Sequence, residues 1–168
     1  MSCRTQSFLA ALLTVGLTTT FAAVAASPDN AFVQKAAAGG MAEVEMGKLA
    51  QDKATNGQVK QFGARMVQDH GKANDELKQL AGAKGVQLPA GPGAEAQAKM
   101  KKMQGMSGAA FDKHYMDDMV ADHKKDIAAF ESEAKSGKDP EVKAFAQKTL
   151  PTLKEHLQLA QQAQAAVK

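Results

Sequence analysis

Apolar residues recur along this chain at three- and four-residue spacing, the mark of helices that bury one stripe and wet the other face. The pattern predicts a first helix from about Asp29 to Ala54, with Asp29 or Asn30 as N-cap. A second runs from about Gln58 to Lys84 and ends near Gly85. A third runs from about Ser107 to Lys135. A fourth runs from Glu141 nearly to the end, with Asp139 as N-cap and Pro140 at the first helical position. "TNG" and "SGKDP" are short turns, so the first two helices pair antiparallel, as do the last two. Between the pairs lies "GVQLPAGPG", broken by proline and glycine, followed by a shorter helical piece, "AEAQAKMKKMQGM". That connection is long enough to cross the length of a bundle, as in ferritin-like folds. The turns "NGQVKQF" and "DPEVKAF" match, which suggests two similar helix pairs.

The stripes carry unexpected polar residues. In the second helix His70 sits at the centre of Val59, Phe62, Met66, Ala73, Leu77 and Leu80, with Asp69 on the border. In the third, His123 sits among Met116, Met119, Ile127, Phe130 and Ala134, flanked by Asp122 and Asp126, with Phe111 and Tyr115 at the stripe's edge. The fourth places His156 among Val142, Phe145, Leu153 and Ala160, and Pro151 is expected to kink it nearby. The first carries Glu43 beside Phe32, Ala36, Gly39, Met46 and Ala50, whereas Glu45 and His114 fall on wet faces. M-V-x-D-H is written twice, at Met66 and Met119, and each copy puts Met and His one turn apart on the buried stripe.

Each of these inward residues lies near the middle of its helix. Mid-helix positions meet at one level whichever way the helices run, so one polar layer of Glu43, His70, His123 and His156 is expected inside an apolar core. Unpartnered burial would cost about 1–3 kcal/mol per group. The layer must therefore pair with itself, with water or with a metal. Imidazoles and a carboxylate suit Zn²⁺, Fe²⁺ or Cu²⁺ as a mononuclear site. The alternative is a metal-free hydrogen-bonded layer that fixes helix register. A di-iron centre is not expected, because Val67 and Leu153 stand where the Glu-x-x-His motif needs glutamate. Met100, Met103 and Met106 could offer thioethers to Cu(I), but at this spacing they read first as an amphipathic connector packing on the bundle. No nucleophile–base arrangement argues for hydrolysis, so a binding protein is expected rather than an enzyme, with a redox enzyme on a degenerate metal centre as the weaker alternative.

Composition agrees with an all-α class: of 168 residues, aromatics are 5% and Trp is absent, while Ala, Gln, Lys, Glu and Met are abundant. The net charge of +3 is spread along the chain and gives no nucleic-acid footprint. Arg4, the apolar "FLAALLTVGL" and the small residues of "FAAVAAS" read as an export signal over residues 1–26, cleaved to leave one domain over 27–168. An uncleaved anchor is the alternative. The lone Cys3 precedes the apolar run, so the mature domain would carry no thiol, which suits the periplasm or another exported location. No later apolar run could span a membrane.

Four blocks, "FVQKAAAGGMAEVEMGKLA", "VKQFGARMVQDHGKANDELKQLA", "FDKHYMDDMVADHKKDIAAFESEA" and "VKAFAQKTLPTLKEHLQLA", resemble the bacterial family called domain of unknown function 4142. The resemblance implies an exported, ferritin-like four-helix fold. It maps the family's D-H blocks onto Asp69-His70 and Asp122-His123, and its T-L-P-T-L-x-x-H-L block onto Thr149 to Leu157. No activity comes with it. The sequence therefore points to a periplasmic protein whose Glu43, His70, His123 and His156 hold one transition-metal ion, for metal handling or envelope stress tolerance. Asp69 or Asp122 would accept from ring N–H groups.

Overall fold

The computed structural model describes residues 27–167, so the expected export signal over 1–26 lies outside them. Five helices and no strand occur among the described residues: α1 (Pro28–Lys53), α2 (Gly57–Lys84), α3 (Ala94–Gln104), α4 (Gly108–Ser136) and α5 (Pro140–Ala166). The four long helices fall within a residue or two of the positions the periodicity predicts, and α3 is the short piece in the connection.

Local chemistry starts and stops them. Asn56 Oδ1 accepts from Gln58 N–H at 2.8 Å to open α2. Gly85, at φ 65, closes α2 in the left-handed conformation, and Val86 N–H reaches back to the Ala81 carbonyl at 2.9 Å. Asp139 Oδ1 accepts from Glu141 and Val142 N–H to open α5, with Pro140 behind it. For α1 the expected caps are wrong. Ser27 Oγ takes the Asn30 N–H at 3.1 Å, because the Asp29 carboxylate is engaged elsewhere. Pro151 does not interrupt α5. It frees the Gln147 carbonyl, but both residues lie on the exposed face, where water replaces the lost bond.

Contacts at the helix ends set the directions. Asp29, buried near the start of α1, accepts from Lys138 and Asp139 N–H, at 3.0 and 3.1 Å, in the α4–α5 turn. Asp112, buried near the start of α4, accepts from Thr55 and Asn56 in the α1–α2 turn. Each pair thus clamps the other pair's turn. It follows that α4 starts beside the start of α2, and α5 starts beside the start of α1. The residues joining α2 to α4 therefore cross the length of the helices, and α3 covers part of that crossing. The 83-residue offset from Asp29 to Asp112 also relates Phe32 to Tyr115, Glu43 to Asp126, Val59 to Val142 and Phe62 to Phe145. Within the first pair, Gly47 and Gly63 let α1 and α2 close at mid-length, since a Cβ on either would meet the other's carbonyl oxygen at 2.6 or 2.7 Å.

The core is split in two. One half, near the α1–α2 turn, is built on Met46, Phe62, Met66, Phe111, Tyr115, Met116 and Met119. Phe111 and Tyr115 are wholly buried there rather than at the edge of the stripe. Met100 and Met103 of α3 join this half, as a packing connector requires. The other half is built on Phe32, Val33, Leu77, Phe130, Val142, Phe145 and Leu153. Buried polar residues separate the two.

At the second end, burial and the adjacent Asp29 push the Glu133 carboxyl up to about 7. Its folded value lies above the unfolded one, so the stabilisation is full below pH 4.5 and is lost as pH rises through about 7. Glu133→Gln is expected to remove that loss. Urea denaturation at pH 5 and pH 8 should show the variant gaining on the parent only at the higher pH.

Candidate metal centre

The polar layer is made by α2, α4 and α5, each placing one mid-helix imidazole on its buried stripe. His70 is 7% exposed, His156 1% and His123 0%. His123 stands edge to face against both other rings, with centroids 5.8 Å from His70 and 5.4 Å from His156, while His70 and His156 are tilted at 45° with centroids 5.3 Å apart. One ring nitrogen from each histidine lies within 4.8 Å of one from both others.

Hydrogen bonds assign the tautomers. His123 Nδ1–H donates to the Met119 carbonyl at 2.9 Å, which leaves Nε2 with a bare lone pair. His156 Nε2–H donates to Asp69 Oδ2 at 3.0 Å, which leaves Nδ1 bare. Both bare nitrogens are buried and unpartnered, as is His70 Nε2. Arg65 pairs with Asp69 and also reaches Glu155 at 3.2 Å. Burial raises the Asp69 pKa, but Arg65 and His156 outweigh it and hold the carboxyl below its usual range. Asp69 therefore stays ionised and orients the His156 ring. It serves the histidine of another helix and not its chain neighbour His70. Asp122, the other expected acceptor, is taken by Lys99 Nζ at 2.8 Å.

All three imidazoles are held neutral. Burial, then the positive charge of His123 and His156, pushes His70 down to about 3. Burial, then His156, pushes His123 down to about 4. Burial also lowers His156, outweighing the support from Asp69. Neutral rings are the form a metal takes. Two nitrogens at 2.0–2.1 Å from one ion, at the tetrahedral angle, stand about 3.3 Å apart. The cluster is somewhat wider than that, within reach of small ring rotations.

Glu43 is buried in the same layer but falls outside the close group. Its Oε1 is 4.0 Å from His123 Nδ1, the nitrogen already committed to Met119, and its Oε2 has no partner. Burial raises its pKa well above the ordinary value, and the Asp126 and Asp122 charges raise it further. Glu45 is exposed, as expected. His114 is only partly so, 3.9 Å from Asp118. The sequence reading undervalued Asp126. Its 83-residue offset from Glu43, shared with Asp29 and Asp112, is the signal that would have drawn attention to it.

The chain matches the family described as domain of unknown function 4142 over residues 16–163, and belongs to it. No curated protein matches the sequence. Among solved structures, it is similar to a protein of domain of unknown function 305 from Streptomyces coelicolor, described as secreted. That match has a TM-score of 0.72 at 15% identity and covers 85% of this chain and 94% of the other. It is similar to CopM in the Cu(II)-bound form, with a TM-score of 0.70 at 14% identity, covering 83% and 97%. A conserved hypothetical protein from Mycobacterium tuberculosis follows, with a TM-score of 0.64 at 18% identity, covering 82% and 91%. These likenesses establish the helical fold. No helix among the described residues is long and apolar enough to cross a membrane.

Proposed function

We propose that this member of the domain of unknown function 4142 family is an exported, ferritin-like four-helix protein that binds one transition-metal ion through His70, His123 and His156. The observation that carries the reading is the set of three buried, unpartnered ring nitrogens on converging imidazoles. Such a layer costs stability. Apolar side chains in its place would each contribute about 1.5–3 kcal/mol, and every orphaned nitrogen adds a desolvation penalty. An ion that accepts all three lone pairs offsets both losses.

Three histidines leave a fourth position open, the pattern of sites that keep an exchangeable ligand. Glu43 stands beside His123, 4.0 Å from its Nδ1, and it becomes the fourth ligand only if its side chain turns. Imidazole donors suit Cu²⁺, Zn²⁺ and Fe²⁺. CopM, solved with Cu(II), makes copper the first ion to test. The role we assign is metal handling or envelope stress tolerance. The export signal expected over residues 1–26 supports an extracytoplasmic setting.

Elemental analysis of untagged, natively purified protein tests this. One equivalent of copper, zinc or iron is expected, falling to roughly a tenth or less of that in His70→Ala, His123→Ala and His156→Ala, which needs an affinity loss of about 80-fold or roughly 2.6 kcal/mol. Substoichiometric metal that no titration restores would overturn the reading in favour of a metal-free polar layer. All three variants would then lose stability in chelated buffer.

A further inference from the structure

The histidine layer can be approached from two sides, and they differ in charge. Between α2 and α5 a groove of about 210 Å³ reaches His70 and His156, and it carries Arg65, Lys72 and Lys148 against Asp69 and Glu76. On the opposite side, between α1, α3 and α4, lies a pocket of about 240 Å³ whose walls carry Glu43, Glu95, Asp122 and Asp126 against Lys99 and Lys125. The first side repels a cation and the second attracts one.

Asp126 links the second side to the interior. It lines that pocket, and it also lines a cavity of about 30 Å³ shared with His70, Asn74 and Thr149. Glu43, 2% exposed and with Oε2 unpartnered, forms the pocket's inner wall. The two nearby lysines pair with Asp122 of the same wall: Lys99 Nζ sits 2.8 Å from both its oxygens, and Lys125 Nζ is 3.7 Å from one of them. A lysine ammonium is thus already paired with Asp122 in this pocket, while Asp126 makes no such ion pair.

We propose that this pocket is the entry route to the histidine layer, where Asp126 draws a divalent transition-metal cation inward before it passes to His70. The proposal rests on the reading of the three histidines as a metal site. Carboxylate oxygens replace part of the water shell of such a cation. Asp126, facing both the pocket and the inner cavity, hands it across. Lys99 competes for the outer position and must swing away.

Stopped-flow absorbance of Co²⁺ binding, with the equilibrium Co²⁺ content read separately, tests it. Asp126→Asn is expected to slow loading roughly tenfold with the final content unchanged. Lys99→Met, which removes the competing charge, is expected to speed it. Glu76→Gln, on the opposite groove, should load at the parent rate. If Asp126→Asn fails to fold, Asp122→Asn carries the same expectation. Full final content with unchanged rates in the pocket variants would overturn the entry route, as would slowing by Glu76→Gln alone. A parent protein that takes up no Co²⁺ at equilibrium would overturn the histidine site itself, and the proposal with it.

Discussion

Excess Cu²⁺ or Zn²⁺ is expected to raise the Tm of the purified protein by roughly 5–10 °C at pH 7.5. Ligand at a hundred times Kd stabilises the folded state by about 2.7 kcal/mol, and a domain of this size gains about 2–4 °C per kcal/mol. The shift should vanish in His123→Ala, whose ring is wholly buried and whose Nε2 has no other partner. Its pH profile is the sharper test. An ordinary histidine is half protonated near 6.5, but His70 is held at about 3 and His123 at about 4. Metal must displace protons from its ligands. The thermal shift should therefore survive at pH 5.5, where surface histidines no longer bind metal, and disappear as pH falls through about 4. Without metal the sign is also fixed. Histidines depressed in the folded state contribute stability that is full above 6.5 and is lost as pH falls toward about 4 and about 3. Asp126, raised to about 6, works the other way, with stability present below 3.8 and lost as pH rises through about 6. A metal shift that dies near pH 6.5 would mean that groups outside the layer bind the ion.

Asp112→Ala is expected to be the most damaging single change away from the histidines, lowering unfolding free energy by roughly 3 kcal/mol. Its carboxylate accepts from Thr55 N–H at 3.0 Å, Thr55 Oγ–H at 2.6 Å and Asn56 N–H at 2.9 Å. Asp112 is 2% exposed, whereas Thr55 is exposed and Asn56 half-buried, so water replaces only part of what truncation removes. Hydrogen bonds to a charged acceptor are each worth about 1.5–3 kcal/mol, and three on one group do not add fully. Asp112→Asn keeps the shape and one acceptor oxygen, and should fall between. Asp29→Ala removes the corresponding clamp on the other turn, with two bonds instead of three, and should cost about 2 kcal/mol. Urea denaturation midpoints at constant slope read these differences. An Asp112→Ala loss under about 1 kcal/mol would show that the turns hold themselves and that the clamp between pairs is incidental.

Much of this could be read from the chain. The helices, the short turns, the Asp139 cap with Pro140 and the Gly85 stop follow from local chemistry within a few residues, and the structure keeps them. The inward phase of His70, His123, His156 and Glu43 follows from the helical repeat, because a rigid 3.6-residue period carries phase reliably over two or three turns. Periodicity also placed all four at mid-helix, which is why they meet in one layer. It could not say which ring nitrogen is free. That depends on Met119 offering a carbonyl to His123 and on Asp69, 87 residues away, accepting a hydrogen bond from His156 Nε2–H. Nor could it separate Glu43 from the three imidazoles, since all four share a level and only side-chain packing sets the last few ångströms. Asp29, read as a cap, instead serves a turn about 110 residues on, through contacts that no local pattern encodes. Helical phase and capping are properties of neighbours along the chain, and the sequence determined them. Directions of crossing, free lone pairs and the charge of each approach to the layer come from groups far apart in sequence, and only the tertiary packing decided those.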